Sequence, residues 1–328
     1  MSVPAVVSLD VGGTTILSGL VADDGTVLHS ASRPTVRDGR RDPGLTGTAS
    51  AVRAMVAAAR ERDIRVVGVG AGFPEYVDAA GRLTSNEVLD RTEQPAALLA
   101  SLVPGVPVAV ESDVRCAALA EARLGSGRGL GSFLYVSLGT GLSTAFVQEG
   151  AVWRGHRGEA IALGNLEVPA SVDPGFSAGP PGEPPRTLEE YASGAGIAAR
   201  YTHATGTPVT ETRDVVRRAA NGDATALRLL AGAGRALGTA LGWVVSLLDP
   251  EAVVVGGGLG VSGGLLHEEL RSACATACRR PSAPPLRYAE LGHESGLLGA
   301  ALAVRQQRAL RSTGFRSRSG APAVHSGP

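Results

Sequence analysis

The chain enters its first turn through the sequence Ser-Leu-Asp-Val-Gly-Gly-Thr, residues 8–14. An apolar run from Val3 to Leu9 leads into this turn, and a second β-like run from Thr15 to Val21 leaves it. Asp24-Gly25 then turns the chain into a third run, from Thr26 to His29. The order strand, glycine turn, strand, turn, strand predicts a three-stranded β-meander.

Two adjacent glycines at the apex of the first turn let backbone N–H groups approach a ligand closely. Gly12 and Gly13 could therefore hold phosphate oxygens through amide donors, and Thr14 adds a hydroxyl. Asp10 stands where the strand ends, so its carboxylate is placed to bind a magnesium ion through water. An ordinary Gly-Gly hairpin with a surface aspartate explains the same residues equally well.

Bulk composition argues against several functional classes. The chain has 328 residues, enough for two domains, and its formal net charge is zero with no basic run, unlike a dedicated nucleic-acid-binding protein. No stretch resembles a signal peptide, and no apolar run reaches the ~20 residues of a membrane span. Three cysteines cannot form a disulfide framework. We expect a cytoplasmic protein that acts on a small molecule, without nucleic acid or membrane as a partner.

Strands and helices alternate after the meander. A helix is predicted over Ala49 to Arg62, and strands over Val66 to Gly72 and Val106 to Val110, which is typical of a parallel α/β sheet. Asp113 follows the last of these strands and opens an Ala-rich helix, Val114 to Leu124. Ligands of such sheets bind beyond the carboxyl ends of the strands, so Asp113 could point into a cleft. Asp113 or Ser112 could instead simply cap the helix, and the local sequence favours this role because caps are very common at such positions.

The opening pattern returns half a chain later. The sequence Ser-Leu-Gly-Thr-Gly-Leu-Ser, residues 137–143, joins a predicted strand from Phe133 to Leu138 to another from Ser143 to Gln148. A repeated unit of this size predicts two related domains, each of which offers one glycine turn to a shared cleft. Gly139, Thr140 and Gly141 would then hold phosphates opposite the first turn.

The rest of the chain is mostly helical by pattern. A strand from Ala252 to Val255 runs into Gly256, Gly257 and Gly258, which could seat an adenine or a ribose or could simply be a strand-to-helix turn. Helices are predicted over Leu188 to Tyr201, Ala224 to Leu248, Leu265 to Cys278 and Gly296 to Leu310, with an irregular segment at Gly164 to Pro185 and a strand at Leu286 to Leu291. The tail from Ser312 onward has few apolar residues and is expected to be disordered.

These motifs together resemble the ROK family of sugar kinases and repressors, in the actin-like ATPase superfamily. The resemblance covers nearly all of residues 4–310 and rests on the two glycine turns, Pro250 to Gly258, Gly296 to Ala300 and Leu188 to Gly194. It implies an α/β fold of two actin-like (ribonuclease H-like) domains with an interdomain cleft. The expected domains are 1–113, joined by the C-terminal helix at about 298–311, and 114–297, followed by a disordered tail at 312–328.

The resemblance also implies roles for single residues. Asp113 takes the position of the general base, Asn86 that of an Asn that holds a sugar hydroxyl, and Glu189 that of a sugar-contacting Glu. ATP and Mg²⁺ are the implied cofactors, with Asp10 anchoring the magnesium ion through water. The implied partner is a sugar or cyclitol substrate, and a homodimer is expected.

The sequence departs from this family on the substrate side. Ala162 and Asn165 stand where the family has a sugar-binding Glu and a His that also ligates zinc, and Val168 to Thr187 has no cysteine to complete a zinc site. Ser112 replaces an Asn, and Glu75 replaces a Gly. We therefore predict no structural zinc, with Ser112 and Asn165 among the substrate-binding residues.

The sequence as a whole predicts an ATP-dependent kinase that phosphorylates a primary hydroxyl of a hexose-like substrate. The changed residues of the predicted substrate site favour a modified acceptor, either an amino sugar of the kanosamine type or a C7-cyclitol of antibiotic biosynthesis. A glucokinase, an N-acyl-hexosamine kinase and, in another class, a non-catalytic sugar-binding regulator are the alternatives.

Overall fold

The computed structural model describes residues 2–37, 39–178, 186–279 and 282–312. Its first half contains a five-stranded sheet in the order β3-β2-β1-β6-β7, in which the first three strands form the antiparallel meander and the last two are parallel to β1. The strands are β1 (Val3–Val11), β2 (Thr15–Ala22), β3 (Val27–Pro34), β6 (Ile64–Phe73) and β7 (Val108–Ser112), with a small ladder of β4 (Val36–Arg37) and β5 (Arg40–Arg41). The helices are α1 (Thr46–Glu61) and α2 (Pro95–Leu102).

A second five-stranded sheet repeats this topology in the order β10-β9-β8-β11-β12, again with three antiparallel strands followed by two parallel ones. Its strands are β8 (Ser132–Leu138), β9 (Leu142–Gln148), β10 (Ala151–Trp153), β11 (Ala252–Gly256) and β12 (Leu286–Tyr288). The repeat in the sequence is therefore a repeat in three dimensions, and the prediction of an α/β fold with two related sheets is confirmed.

Two helices connect the halves. Helix α3 (Asp113–Leu124) packs with its Leu119 and Ala120 in a core on the first sheet, and with Ala117 and Ala118 in a core on the second. Helix α10 (Ser295–Ser312), the last described element, packs against α3 and the first sheet. The exact domain boundaries stay a prediction. A C-terminal helix that belongs to the first domain would pack against the first sheet, as α10 does.

The remaining helices cover the second sheet. They are α4 (Pro174–Ala178), α5 (Leu188–Ala192), α6 (Gly194–Thr205), α7 (Thr212–Ala220), α8 (Ala224–Leu248) and α9 (Leu265–Cys278). Among the described residues α8 alone is long and apolar enough to cross a membrane, but 72% of its apolar window is buried. Its apolar side chains pack in the core of the second half, so it is a core helix.

The sequence predicted one continuous helix over Leu188 to Tyr201, and this is wrong. The chain breaks at Ser193, whose extended backbone (φ −69°, ψ 164°) ends α5 and whose side chain caps α6 by accepting from the N–H of Gly196. Because α6 begins here, the N–H groups of its first residues have no intrahelical acceptor and are available to other partners. The tail was expected to be disordered, and its residues beyond Ser312 lie outside the described part of the chain.

Candidate active site

Strand register brings two aspartates to one edge of the first sheet. Asp10 pairs with Gly72 in the parallel ladder of β1 and β6, and Ser112 pairs with Phe73 in the ladder of β6 and β7. Asp113 follows Ser112 directly as the first residue of α3. The carboxyl ends of these three parallel strands therefore place Asp10 and Asp113 close together, with the start of α10 against the Asp10 carboxylate at Gly296.

Burial changes the acidity of both carboxyls. Burial raises the pKa of Asp10 to about 6. Burial also raises the pKa of Asp113 to about 7, and the negative charge of Asp10 adds to that increase. The N–H of Val114 donates to Asp113 Oδ1 at 2.6 Å, which favours the charged form and opposes part of the effect. A carboxyl with a pKa near neutrality is suited to accept a proton at physiological pH.

In the first glycine turn the carbonyl groups have hydrogen-bond partners and two of the amides do not. The N–H of Gly12 donates to the carbonyl of Thr15 at 2.9 Å, and the carbonyl of Gly12 accepts from the Thr35 hydroxyl at 2.6 Å. The carbonyl of Thr14 accepts from the N–H of Thr35 at 2.9 Å. In the described structure the N–H groups of Gly13 and Thr14 have no hydrogen-bond partner, so these two amides, rather than that of Gly12, are available to an anion.

The second glycine turn is built in the same way. Its carbonyls at Gly139 and Thr140 accept from the first two N–H groups of α6, those of Gly194 at 2.8 Å and Ala195 at 3.0 Å. The N–H of Gly139 closes the turn onto the carbonyl of Gly141. Within the described chain the N–H groups of Thr140 and Gly141 have no partner. The break at Ser193, which sequence reasoning missed, thus positions this turn.

A cleft of about 510 Å³ brings most of the predicted site residues together. The predicted residues in its lining are Gly13, Thr14, Ser112, Asp113, Gly139, Thr140, Gly141, Asn165 and Glu189. Asp10, Gly12, Asn86 and Gly256 to Gly258 are not part of that lining. Asn86 is exposed, and its amide donates to the carbonyl of Arg91 at 3.4 Å. A larger cavity of about 740 Å³ beside α8 and α9 contains none of the predicted residues.

The three glycines at the end of β11, Gly256 to Gly258, lie beside the second turn. A Cβ on Gly256 would lie 2.3 Å from the Tyr135 hydroxyl, and one on Gly257 would lie 2.4 Å from the carbonyl oxygen of Leu138. Packing against β8 therefore explains these two glycines. Space remains open at Gly258, where a Cβ would meet nothing within 4 Å. A flat ring could lie against this backbone, next to the turn that begins at Gly139.

Glu189 lies beneath the second turn. Its carboxylate accepts from the N–H of Leu142 at 2.8 Å, and a Cβ on Gly141 would lie 3.2 Å from it. Glu189 therefore supports the backbone of the turn while it lines the cleft.

Glu75 organises the loop on the opposite side of the cleft. Its buried carboxylate accepts from the N–H groups of Glu87, Val88 and Leu89, each at 2.9 Å, and from the Ser85 hydroxyl. A carboxylate with this many donors is fully satisfied although it is buried. The sequence showed Glu75 only as a departure from a glycine, and nothing in the local pattern indicated its partners.

An ion-pair network, buried at Glu111 and Arg115, holds the walls of the cleft. Glu111, directly before Ser112, binds Arg115 of α3 at 2.6 Å and also Arg154 from the second half. The Arg115 guanidinium donates in addition to the carbonyls of Val77 and, at 3.0 Å, Gly158. Because these carbonyls belong to different halves, Arg115 ties the two walls together. Sequence reasoning gave Glu111 and Arg115 no role.

The known proteins that share this architecture identify the chain. The family model described as ROK matches residues 6–307. The chain belongs to the ROK family. The glucokinase of Streptomyces coelicolor is 30% identical over 319 residues, which cover 90% of this chain and 96% of the relative.

Solved structures of ROK proteins superpose over nearly the whole chain. The ROK hexokinase of Thermus thermophilus has a TM-score of 0.79 and 33% identity, with 93% of this chain and 99% of that one covered. A ROK glucokinase of Streptomyces griseus, solved with glucose and AMPPNP, has a TM-score of 0.76 and 29% identity, with 92% and 99% covered. The fold of two actin-like domains, expected from the sequence, is that of these ROK kinases.

The residues of this ROK protein fit a nucleotide and a divalent cation. Four unpaired N–H groups, two in each turn, can donate to phosphate oxygens, as a backbone anion site requires. In the described structure the partly buried carboxylate of Asp10 has no hydrogen-bond partner, and an unpaired carboxylate that is poorly solvated is costly unless a cation or proton compensates it. No cluster of three or more His, Cys, Asp or Glu side chains that could hold a metal occurs among the described residues. The prediction of no structural zinc stays a prediction.

Proposed function

We propose that this ROK protein transfers a phosphoryl group from ATP to a primary hydroxyl of a modified hexose, either an amino sugar of the kanosamine type or a C7-cyclitol. The observation that carries the proposal is that Asp113 lines the same cleft as both glycine turns. An acceptor hydroxyl beside Asp113 would therefore face the end of a triphosphate that the turns hold. ATP-dependent phosphorylation of a sugar, without regard to which sugar, is supported by the family and by its known kinases.

The chain's own residues supply positioning and one proton transfer. The free N–H groups of Gly13, Thr14, Thr140 and Gly141 orient the phosphates, and Asp113 accepts the proton of the attacking hydroxyl. A magnesium ion, when bound, neutralises phosphate charge, and Asp10 would hold it through water. Closure of the two domains over the cleft would exclude water that otherwise hydrolyses ATP. Gly256, Gly257 and Gly258 would seat the nucleoside.

The acceptor side supports a modified substrate. Ala162 in the cleft lining has no group to hydrogen-bond a sugar hydroxyl, and Asn165 is engaged with Tyr76. A site selects its substrate by the hydroxyls that it can pair, so changed partners imply a changed acceptor. Ser112 and Glu189 remain as polar contacts, and Asn86 would have to move toward the cleft to bind a sugar. The named relatives favour glucose as the alternative acceptor.

An acceptor panel tests this function. Purified protein with ATP and Mg²⁺ is assayed for ADP release with glucose, glucosamine, kanosamine, N-acetylglucosamine, N-acetylmannosamine and C7-cyclitols. We expect the highest kcat/KM for an amino sugar or a cyclitol. The highest value for glucose would instead assign a glucokinase, and ATP binding without any turnover would indicate a non-catalytic sugar-binding protein.

The variant Asp113→Asn tests the proposed base in the same assay. It should bind ATP with unchanged affinity and lose turnover by at least about 100-fold, because a positioned base contributes on the order of 10²- to 10⁴-fold. Turnover at the wild-type rate would remove Asp113 from the mechanism.

A cytoplasmic homodimer is the expected form of the enzyme, and size-exclusion chromatography with light scattering measures its oligomeric state.

A further inference from the structure

We propose that Tyr76 and Asn165 together select the acceptor, as a hydrogen-bonded bridge that favours a free hydroxyl or amine over a bulky N-acyl group. Asn165 Nδ2 donates to the Tyr76 hydroxyl at 3.0 Å. Tyr76 follows β6 of the first sheet, and Asn165 lies in a short 3-10 turn after β10 of the second. The bridge therefore joins the two walls of the cleft. This inference rests on the proposed kinase function and goes beyond it.

Both residues of the bridge line the same cleft as Asp113 and the two glycine turns. Tyr76 follows Pro74 and Glu75 in the chain, and Asn165 follows residues 160–164, all of which line the cleft without belonging to either turn. The acceptor must place its hydroxyl beside Asp113 while the turns hold the phosphates, so we infer that its ring extends toward these residues. A substituent on the ring then meets Tyr76 and Asn165.

The backbone on either side of the bridge is fixed. A Cβ on Gly158 would lie 2.0 Å from the carbonyl oxygen of Val77, so the two walls touch directly one residue from Tyr76. Arg115 donates to the carbonyls of both Val77 and Gly158. Because these contacts leave the walls little freedom to separate, a bulky substituent cannot be accommodated by simple widening. It has to break the hydrogen bond between Tyr76 and Asn165.

The bridge also leaves polar groups free for a small substituent. The Tyr76 hydroxyl accepts from Asn165, but in the described structure its own O–H has no acceptor. Burial, with the neighbouring charge of Glu87, raises the pKa of Tyr76, so the phenol keeps its proton. The carboxylate of Glu87 lines the cleft and has no hydrogen-bond partner among the described residues. A hydroxyl can accept from the Tyr76 O–H and donate to the Glu87 carboxylate, and a protonated amine can give that carboxylate a charge-assisted hydrogen bond. The N–H of an acylated amine is uncharged, so it gains less from the carboxylate while its acyl group adds bulk.

A matched pair of acceptors measures the selectivity of the bridge. The ratio of kcat/KM for glucosamine to that for N-acetylglucosamine is determined for the wild type, Tyr76→Phe, Asn165→Ala and the double variant. We expect the wild type to prefer glucosamine and each single variant to reduce the ratio by about tenfold, since each removes the same hydrogen bond. The double variant should be no worse than either single one. The KM for ATP should stay unchanged, and Tyr288→Phe, remote from the cleft, is the control.

The outcomes separate the two proposals. An active wild type whose ratio is the same in Tyr76→Phe and Asn165→Ala would overturn the role of the bridge and leave the kinase function standing. A wild type that prefers N-acetylglucosamine would overturn it as well. A wild type that phosphorylates another member of the panel but neither of these two acceptors would overturn the role of the bridge alone, and one that phosphorylates no member would overturn both proposals.

Discussion

Burial and, after it, the negative charge of Asp10 raise the pKa of Asp113 at the carboxyl edge of the first sheet. Burial is the larger cause, and the two effects together raise the pKa of the Asp113 carboxyl to about 7, from 3.8 in an unfolded chain. The folded protein therefore binds a proton at Asp113 over a pH range in which the unfolded chain has lost it. Folding stability that depends on this proton is present below pH 4 and is lost as the pH rises through 7.

Asp113→Asn should consequently stabilise the protein at pH 8 while it abolishes turnover. The neutral amide removes a buried charge, and each unit of pKa shift corresponds to about 1.4 kcal/mol, so even part of the effect gives a gain of about 1 kcal/mol or more in the free energy of unfolding. At pH 5 the gain should be much smaller, because Asp113 is protonated there in the folded state. Denaturant unfolding at the two pH values measures both. The control is Glu93→Gln at an exposed carboxylate, and an equal effect at both pH values would contradict the expectation.

Activity should depend on pH in the opposite direction. A general base works only when ionised, so kcat/KM for the acceptor, measured with ATP below its KM, should fall by about tenfold between pH 8 and pH 6 for a group whose pKa is about 7. The profile should reach a plateau on the alkaline side. A flat profile across this range would mean that another group, or a much more acidic Asp113, accepts the proton.

The local sequence pattern placed the two glycine turns correctly, while the roles of their residues stay predictions. Both glycine turns were predicted from strand-turn-strand motifs, because a strand end and its turn are encoded within a few neighbouring residues. The local pattern left Asp113 as a possible helix cap, and only the resemblance to the ROK family gave it the position of the general base. Even here the pattern could not tell which amides are free. Gly12 was expected to bind phosphate through its N–H, but that N–H closes the hairpin onto Thr15, and Gly13 and Thr14 carry the free donors.

Contacts between distant segments could not be read from the sequence. The amide of Asn165 and the hydroxyl of Tyr76 are 89 positions apart, and the carboxylate of Glu75 binds a loop 10–14 residues away. The break between α5 and α6 was missed because its residues have helical composition, while the capping side chain of Ser193 and the carbonyls of the second turn decide the backbone there. Such features depend on tertiary partners, which the hydrophobic periodicity of the local sequence does not reveal.

Glu75→Gly should loosen the loop that Glu75 holds. The change restores the glycine expected in the family at this position, but it leaves the N–H groups of residues 87–89 without their carboxylate. We expect amide hydrogen exchange over residues 85–89 to become at least about tenfold faster, because the local opening free energy falls. The KM for the acceptor should rise, since Glu87 and Tyr76 lose their fixed positions, and the KM for ATP should not.

Glu75→Gln separates hydrogen bonding from charge in the same loop. The amide oxygen can still accept from part of the N–H groups, so exchange should lie between the wild type and Glu75→Gly. Unchanged exchange over residues 85–89 in both variants would contradict the role given to Glu75.

Close packing of α10 on α3 predicts a strong effect of a single methyl group. A Cβ on Gly299 would lie 1.8 Å from the carbonyl oxygen of Cys116, and backbone cannot move aside as a flexible side chain can. Gly299→Ala adds about 1 kcal/mol of helix propensity but overpacks the contact, and overpacking costs about 1–3 kcal/mol or more. We expect a net loss of about 2 kcal/mol in the free energy of unfolding. Gly175→Ala is the matched control, because the nearest atom to its Cβ is 3.8 Å away and no loss is expected there. Because Gly296 of the same helix lies against Asp10, Gly299→Ala should also weaken turnover, and a variant as stable and active as the wild type would show that α10 packs differently.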